Sequence, residues 1–204
     1  MILYGRNMSP FARRIAIWAR LQGRALERRE IRPLGETWDE IRAHNPVGRV
    51  PVLILDDGTR LIETFAICDW LEQTAPQARR LIPSSGPDRL ACLQRIAIAN
   101  ATTEKIVELE YEVNRRPAEY QWPDWRTRLV TQVQGGLAAM EAAAPQDRFH
   151  GGEEPDGSDI VQVVALQMAE VTNPWVIEPA TPRLSALAER AMTLPAFAET
   201  KPAG

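Results

Sequence analysis

The stretch NPVGRVPVL, Asn45 to Leu53, sets Pro51 one residue inside a run that otherwise reads as a buried strand. Proline has no N–H to give to a sheet ladder, so within sheets it is confined to edges, bulges and the first residue of a strand. One reading of Pro51 is therefore simply the start of a strand. The other is a cis Val50–Pro51 peptide, a feature of tight and fully determined turns, which turns the N–H and C=O of Val50 away from the sheet and toward a ligand. The flanking segments decide which sheet this strand belongs to.

Upstream, ILYG is a short apolar strand, and MSPFARRIAIWARLQG follows it as a helix. Ser9 stands where an N-cap is expected and Pro10 at the first helical position, where the missing N–H is no loss. Phe11, Ile15 and Trp18 then recur at helical spacing, and Gly23 supplies a stop. ALERREI reads as a second strand and GETWDEIRAHNP as a short helix ended by Asn45–Pro46. Downstream, VPVLILDDGTRLIET holds two apolar runs around Asp56–Asp57–Gly58, a β-hairpin pattern. TFAICDWLEQTAP is then a helix with Ile67, Trp70, Leu71 and Thr74 on one side. This order of elements predicts a mixed four-stranded sheet covered by helices, an α/β domain over residues 1–80.

The segment PSSGPDR, Pro83–Arg89, is rich in loop-forming residues, and 81–89 reads as a linker. Beyond it the periodicity is helical throughout, which predicts an all-α domain over 90–204; the Gly135–Gly136 pair argues for an interruption in its second helix. In PDGSDIVQVVAL, Asp156 and Asp159 bracket a helix start. An acid at the cap and another three residues on satisfy free N–H groups in the manner of a capping box, a structural role for a buried helix carrying Ile160, Val164, Ala165 and Met168.

Composition excludes several classes of function. Residues 1–80 hold thirteen arginines against ten acids, while the whole chain has a net charge of −3, so the first part attracts a small anion but no basic stripe suits nucleic acid. Cys68 and Cys92 form no C-x-x-C, and His44 and His150 are isolated, so no metal cluster is visible. No segment has the roughly 20 apolar residues a membrane span needs, and the opening apolar run is too short for a secretory signal, so a cytoplasmic protein without a membrane partner is expected.

Together SPFARR, NPVGRVPVL, ETFAICDWL and PDGSDI, in this order over nearly the whole chain, resemble the soluble glutathione S-transferases, a thioredoxin-like domain followed by a helical one. The resemblance implies glutathione as co-substrate, no metal, a detoxifying transfer to a small hydrophobic electrophile, and a homodimer whose active sites lie near the interface. Carried onto this sequence, it implies that Thr64 and Glu63 hold the γ-glutamyl end of glutathione and that Arg49 reaches its glycyl carboxylate. Where Pro51 is cis, the main chain of Val50 pairs with the cysteinyl unit as an added strand does. The family commonly has serine at the position of Thr64, and threonine keeps the hydroxyl.

A free thiol with a pKa of ~8.5 is mostly protonated at neutral pH, so the chemistry needs a donor that favours the thiolate. Ser9 at a helix N-terminus is the first candidate, a serine-type site, with Asn7 as the alternative and Arg6 as a further contact; GRNM departs from the small residues often found there. The absence of cysteine near Ser9 argues against thiol–disulfide chemistry. Tyr111, Tyr120, Trp122 and Trp125 are bunched around the end of the first long helix of the second domain, and the expected second-substrate pocket takes Tyr111 and Trp122 with Met8 and Phe11. Two other readings fit the same motifs: a binding or regulatory protein that has lost the chemistry, and a glutathione-dependent isomerase, dehalogenase or peroxidase.

Overall fold

The computed structural model of the protein describes residues 1–202, and the chain divides into two compact units, Met1–Leu81 with the segment from Leu194 onward, and Ile82–Thr193. The first unit runs β1 (Ile2–Tyr4), α1 (Pro10–Leu21), β2 (Glu27–Arg29), a 3₁₀ turn at Gly35–Thr37 leading into α2 (Trp38–His44), β3 (Val52–Ile54), β4 (Arg60–Ile62) and α3 (Thr64–Thr74). Strands lie in the order β2-β1-β3-β4, with β1 parallel to β2 and antiparallel to β3, and β3 antiparallel to β4. This is the mixed four-stranded sheet of a thioredoxin-like domain, as the order of elements in the sequence implied.

Alternation along the strands sorts their side chains to two faces. Tyr4 and Val52, which are opposite each other in the β1–β3 register, join Ile41 of α2 and Ile31, two residues past the end of β2, in one cluster, with Ile2, Val50, Ile54 and Ile62 packed against it. Leu3 and Leu53, also opposite each other, are fully buried on the other face. Helix α1 packs against β1 and α3. The α1–α3 contact is fixed by buried Glu72, whose carboxylate accepts from Trp18 Nε1 (2.8 Å), Gln22 Nε2 (2.7 Å) and the N–H of Leu81 (3.1 Å). A buried carboxylate is tolerated because several donors replace its water.

The second unit is helical: α4 (Gly86–Asn114), α5 (Pro123–Ala143), α6 (Gly157–Thr172) and α7 (Pro182–Ala191). Helix α5 runs unbroken through Gly135–Gly136, against the interruption expected from glycine's poor helix propensity. The reason is tertiary: a β-carbon on Gly136 would lie 2.8 Å and 2.9 Å from the Cγ2 and Cβ of Thr102 on α4, so glycine is what lets the two helices approach.

The division of the chain differs from the expected 1–80, 81–89 and 90–204 at two places. Helix α4 already begins at Gly86, with Pro87 in its first turn, so the helix takes in the end of the expected linker. At the other end, α8 (Pro195–Ala198) belongs to the first unit, where it packs on α1; Phe197 is fully buried and Arg20 pairs with Glu199 at 3.3 Å. That return rests on contacts between residues nearly the whole chain apart, which no local pattern announces.

Candidate functional site

Two of the residues singled out by the sequence, Glu63 and Thr64, sit where α3 begins. Strand β4 ends at Ile62, and Glu63 carries a φ of +68°, a left-handed conformation that a residue with a side chain adopts rarely and at a cost. Helix α3 then starts at Thr64, which is 7 % exposed. No side chain caps this helix and no acid stands in its first turn, so its leading N–H groups keep their hydrogen-bonding capacity and their partial positive charge. An anion fits such a terminus, and a neighbouring buried hydroxyl adds a donor. The Glu63 carboxylate lies 4.0 Å from the Arg49 guanidinium.

Arg49 belongs to the loop between α2 and β3. Asn45, 3 % exposed, holds that loop: its Oδ1 accepts from the N–H of Val47 (3.0 Å), its Nδ2 donates to the carbonyl of Arg49 (2.8 Å), and its own carbonyl accepts from Gly48 (2.8 Å). The Val50–Pro51 peptide is cis. Val50 lies outside the sheet ladder, which begins at Val52, while its side chain packs on the α2 face of the sheet.

Ser9 caps α1, its Oγ accepting from the N–H of Ala12 at 3.3 Å. This use leaves the hydroxyl proton free, because a hydroxyl accepts through its lone pairs and donates through its hydrogen. The cap and the thiol-donor readings of Ser9 are therefore compatible. Asn7, two residues earlier, has a buried Oδ1 without a hydrogen-bond partner among the described residues. One turn into α1, Arg13 is buried and burial holds its guanidinium down to about 10, which still leaves it charged at neutral pH. Two guanidinium groups lie over the ring of Phe11, that of Arg14 at 5.3 Å and that of Arg49 at 6.0 Å from its centroid. Met8 is partly buried in the same segment.

Of the expected pocket residues, Tyr111 and Trp122 are in the second unit and exposed, at the end of α4 and just before α5. The buried carboxylate of Glu112 joins these two segments, accepting from the N–H of Trp122 at 2.8 Å and from Arg116 at 2.7 Å. Asp156 and Asp159 form the capping box of α6: Asp156 accepts from the N–H groups of Ser158 and Asp159, and Asp159 reaches back to the N–H of Asp156 at 2.8 Å. The sequence did not bring out their neighbours. Arg95 of α4 pairs with Asp156 at 3.2 Å, and Asp159 also accepts from the N–H of His150 at 3.0 Å. Burial and the Asp156 carboxylate push Asp159 up to about 7.

Cys68 is partly buried and Cys92 buried, and in both the environment disfavours the thiolate. Enclosure pushes the thiols of Cys68, on α3, and Cys92, on α4, up to about 12. Among the described residues no group of three or more His, Cys, Asp and Glu is placed to hold a metal ion, and no helix is long and apolar enough to cross a membrane. The residues missed in the sequence are Asn45, which holds the 45–50 loop, and Trp38, whose ring lies over Gly48; glycine at position 48, ahead of Pro51, was the available signal.

Residues 3–79 match the family described as glutathione S-transferase, N-terminal domain. The maleylacetoacetate isomerase of Pseudomonas aeruginosa is 32 % identical over 208 residues, covering 98 % of this chain and 94 % of the relative. Two solved structures share the whole architecture at 25 % identity. One is a glutathione S-transferase of Methylobacterium radiotolerans in complex with glutathione sulfonate (TM-score 0.90, covering 100 % of this chain and 95 % of that one). The other is a glutathione S-transferase of Methylobacillus flagellatus with glutathione bound (TM-score 0.89, 99 % of each chain). The four motifs, the sheet order with its helical second unit, and a relative matched from end to end agree: the chain belongs to the glutathione S-transferase family.

Proposed function

We propose that the protein binds glutathione, favours its thiolate and adds that sulfur to a small hydrophobic electrophile, working as a homodimer. The observation that carries this reading is the uncapped start of α3 behind a strained Glu63, with Thr64 buried at its first position and Arg49 and Val50 beside it. Backbone strain in a non-glycine residue persists where the surroundings enforce it, and it clusters at ligand sites. In this reading the N–H and hydroxyl of Thr64 hold the γ-glutamyl carboxylate, and Glu63 takes the ammonium. The main chain of Val50, beside Pro51, pairs with the cysteinyl unit, and Arg49 takes the glycyl carboxylate. The N-terminus of α1 and the hydroxyl of Ser9 favour the thiolate; the amide of Asn7 is the alternative donor. The thiolate forms the new carbon–sulfur bond, and the leaving group departs with the displaced electron pair. Met8 and Phe11, in the same segment as Ser9, are the first unit's residues for contact with the electrophile.

Calorimetric titration with reduced glutathione, run beside Thr64→Ala, tests the reading. Saturable binding that the variant weakens by about ten- to a hundredfold is expected, the loss of one charge-assisted hydrogen bond. Absence of heat and of competition by a glutathione analogue would overturn it in favour of a binding protein without this chemistry.

The end-to-end similarity to a maleylacetoacetate isomerase favours a second reading, glutathione-dependent isomerisation. The two differ in stoichiometry, because transfer consumes one glutathione per product and isomerisation returns it. A titration of remaining thiol during turnover decides between them.

A further inference from the structure

Helix α2 carries Trp38 and Ile41 three residues apart on one face, and Asn45 follows as its C-cap. Each of the three grips a different part of the chain that leads to Pro51. Asn45 bonds the carbonyl of Arg49 and the N–H of Val47. Ile41 is fully buried in the cluster against which the side chain of Val50 packs. Trp38 covers Gly48. That glycine has a φ of +69°, and a β-carbon placed on it would lie 2.7 Å and 2.9 Å from Cζ3 and Cζ2 of the indole and closer still to Cη2. The indole thus occupies the volume that any side chain at 48 would need. It remains 40 % exposed, so its burial alone does not explain why the ring is placed there.

We propose that Trp38 is a positioning residue: by closing the space over Gly48 it fixes the course of Arg49 and Val50, and with it the main-chain groups against which a ligand's peptide backbone is aligned. The inference rests on the glutathione reading of this site. Trp38 itself makes no bond to the ligand and has no part in the acidity of the thiol, which is set at the start of α1. Its signature is a change in affinity without a change in thiol ionisation.

The test compares the wild-type protein with Trp38→Phe, Trp38→Ala, Gly48→Ala and the double variant Trp38→Ala/Gly48→Ala. Reduced glutathione is titrated by calorimetry, and the bound thiolate is followed by its ultraviolet absorbance against pH. Trp38→Ala and Gly48→Ala should each weaken binding by about tenfold, and Trp38→Phe, which keeps a ring over the glycine, by no more than about twofold. The double variant should lose less than the sum of the two single losses, because removing the indole relieves the clash with the methyl group while the strain of the positive φ at 48 remains; coupling of this kind is expected only of residues in contact. The pKa of the bound thiol should be the same in all of them. Wild-type affinity in both single variants, fully additive losses, or a shifted thiol pKa would overturn the proposal and leave the glutathione reading intact. Wild-type protein that does not bind glutathione would overturn both.

Discussion

Ser9 shows how one side chain serves a helix and a ligand at once. Its oxygen accepts from the N–H of Ala12, which stabilises α1 by about 1 kcal/mol, and its proton remains to be donated. Ser9→Ala removes both, whereas Ser9→Thr keeps both. In the proposed mechanism Ser9→Ala raises the pKa of bound glutathione by about one unit, and the thiolate-dependent rate at neutral pH falls roughly tenfold. The dissociation constant of glutathione stays within about threefold, because the carboxylate contacts lie at α3. Ultraviolet titration of the bound thiolate measures this directly; an unchanged pKa in Ser9→Ala would move the role to Asn7, whose amide N–H is the alternative donor.

The start of α6 carries the clearest dependence on pH. Asp159 is fully buried, and burial together with Asp156 raises its pKa from an ordinary 3.8 to about 7. The folded state therefore holds this proton more tightly than the unfolded chain does. Its contribution to stability is complete below about pH 3.8 and is lost as pH rises through about 7. His150, held down chiefly by burial and then by Arg95, works in the opposite sense, losing its contribution as pH falls. The other charged or ionisable groups of this cluster are Asp156, Arg95 and the Cys92 thiol. Denaturant unfolding between pH 4 and 7 should therefore decline less with pH in Asp159→Asn than in the wild type; equal slopes would show that the proton is held elsewhere. This helix start was legible in the sequence because a capping box is local, and so were the Ser9 cap, the hairpin turn and the start of α3. The continuity of α5 was not, because Thr102, the residue that requires Gly136, lies on another helix. Trp38 and Asn45 escaped for the same reason: a helix of seven residues does not say which of its faces meets a loop.

At the scale of the molecule, the helical second unit was legible from the absence of strand periodicity after the linker, whereas the return of α8 to the first unit was not. The homodimer proposed for the protein has one conspicuous candidate anchor: Phe65, in the first turn of α3, is 84 % exposed. Sedimentation should give twice the 22.9 kDa chain mass, and Phe65→Asp should move the population toward the single chain; wild-type protein sedimenting as a single chain would contradict the dimer. The two cysteines, Cys68 partly buried and Cys92 buried, have a consequence for reactivity. Burial pushes both thiols up to about 12, far from the thiolate at neutral pH. In a protein proposed to handle alkylating substrates, the bound peptide then offers the one ready sulfur, and the catalyst is not consumed by alkylating itself.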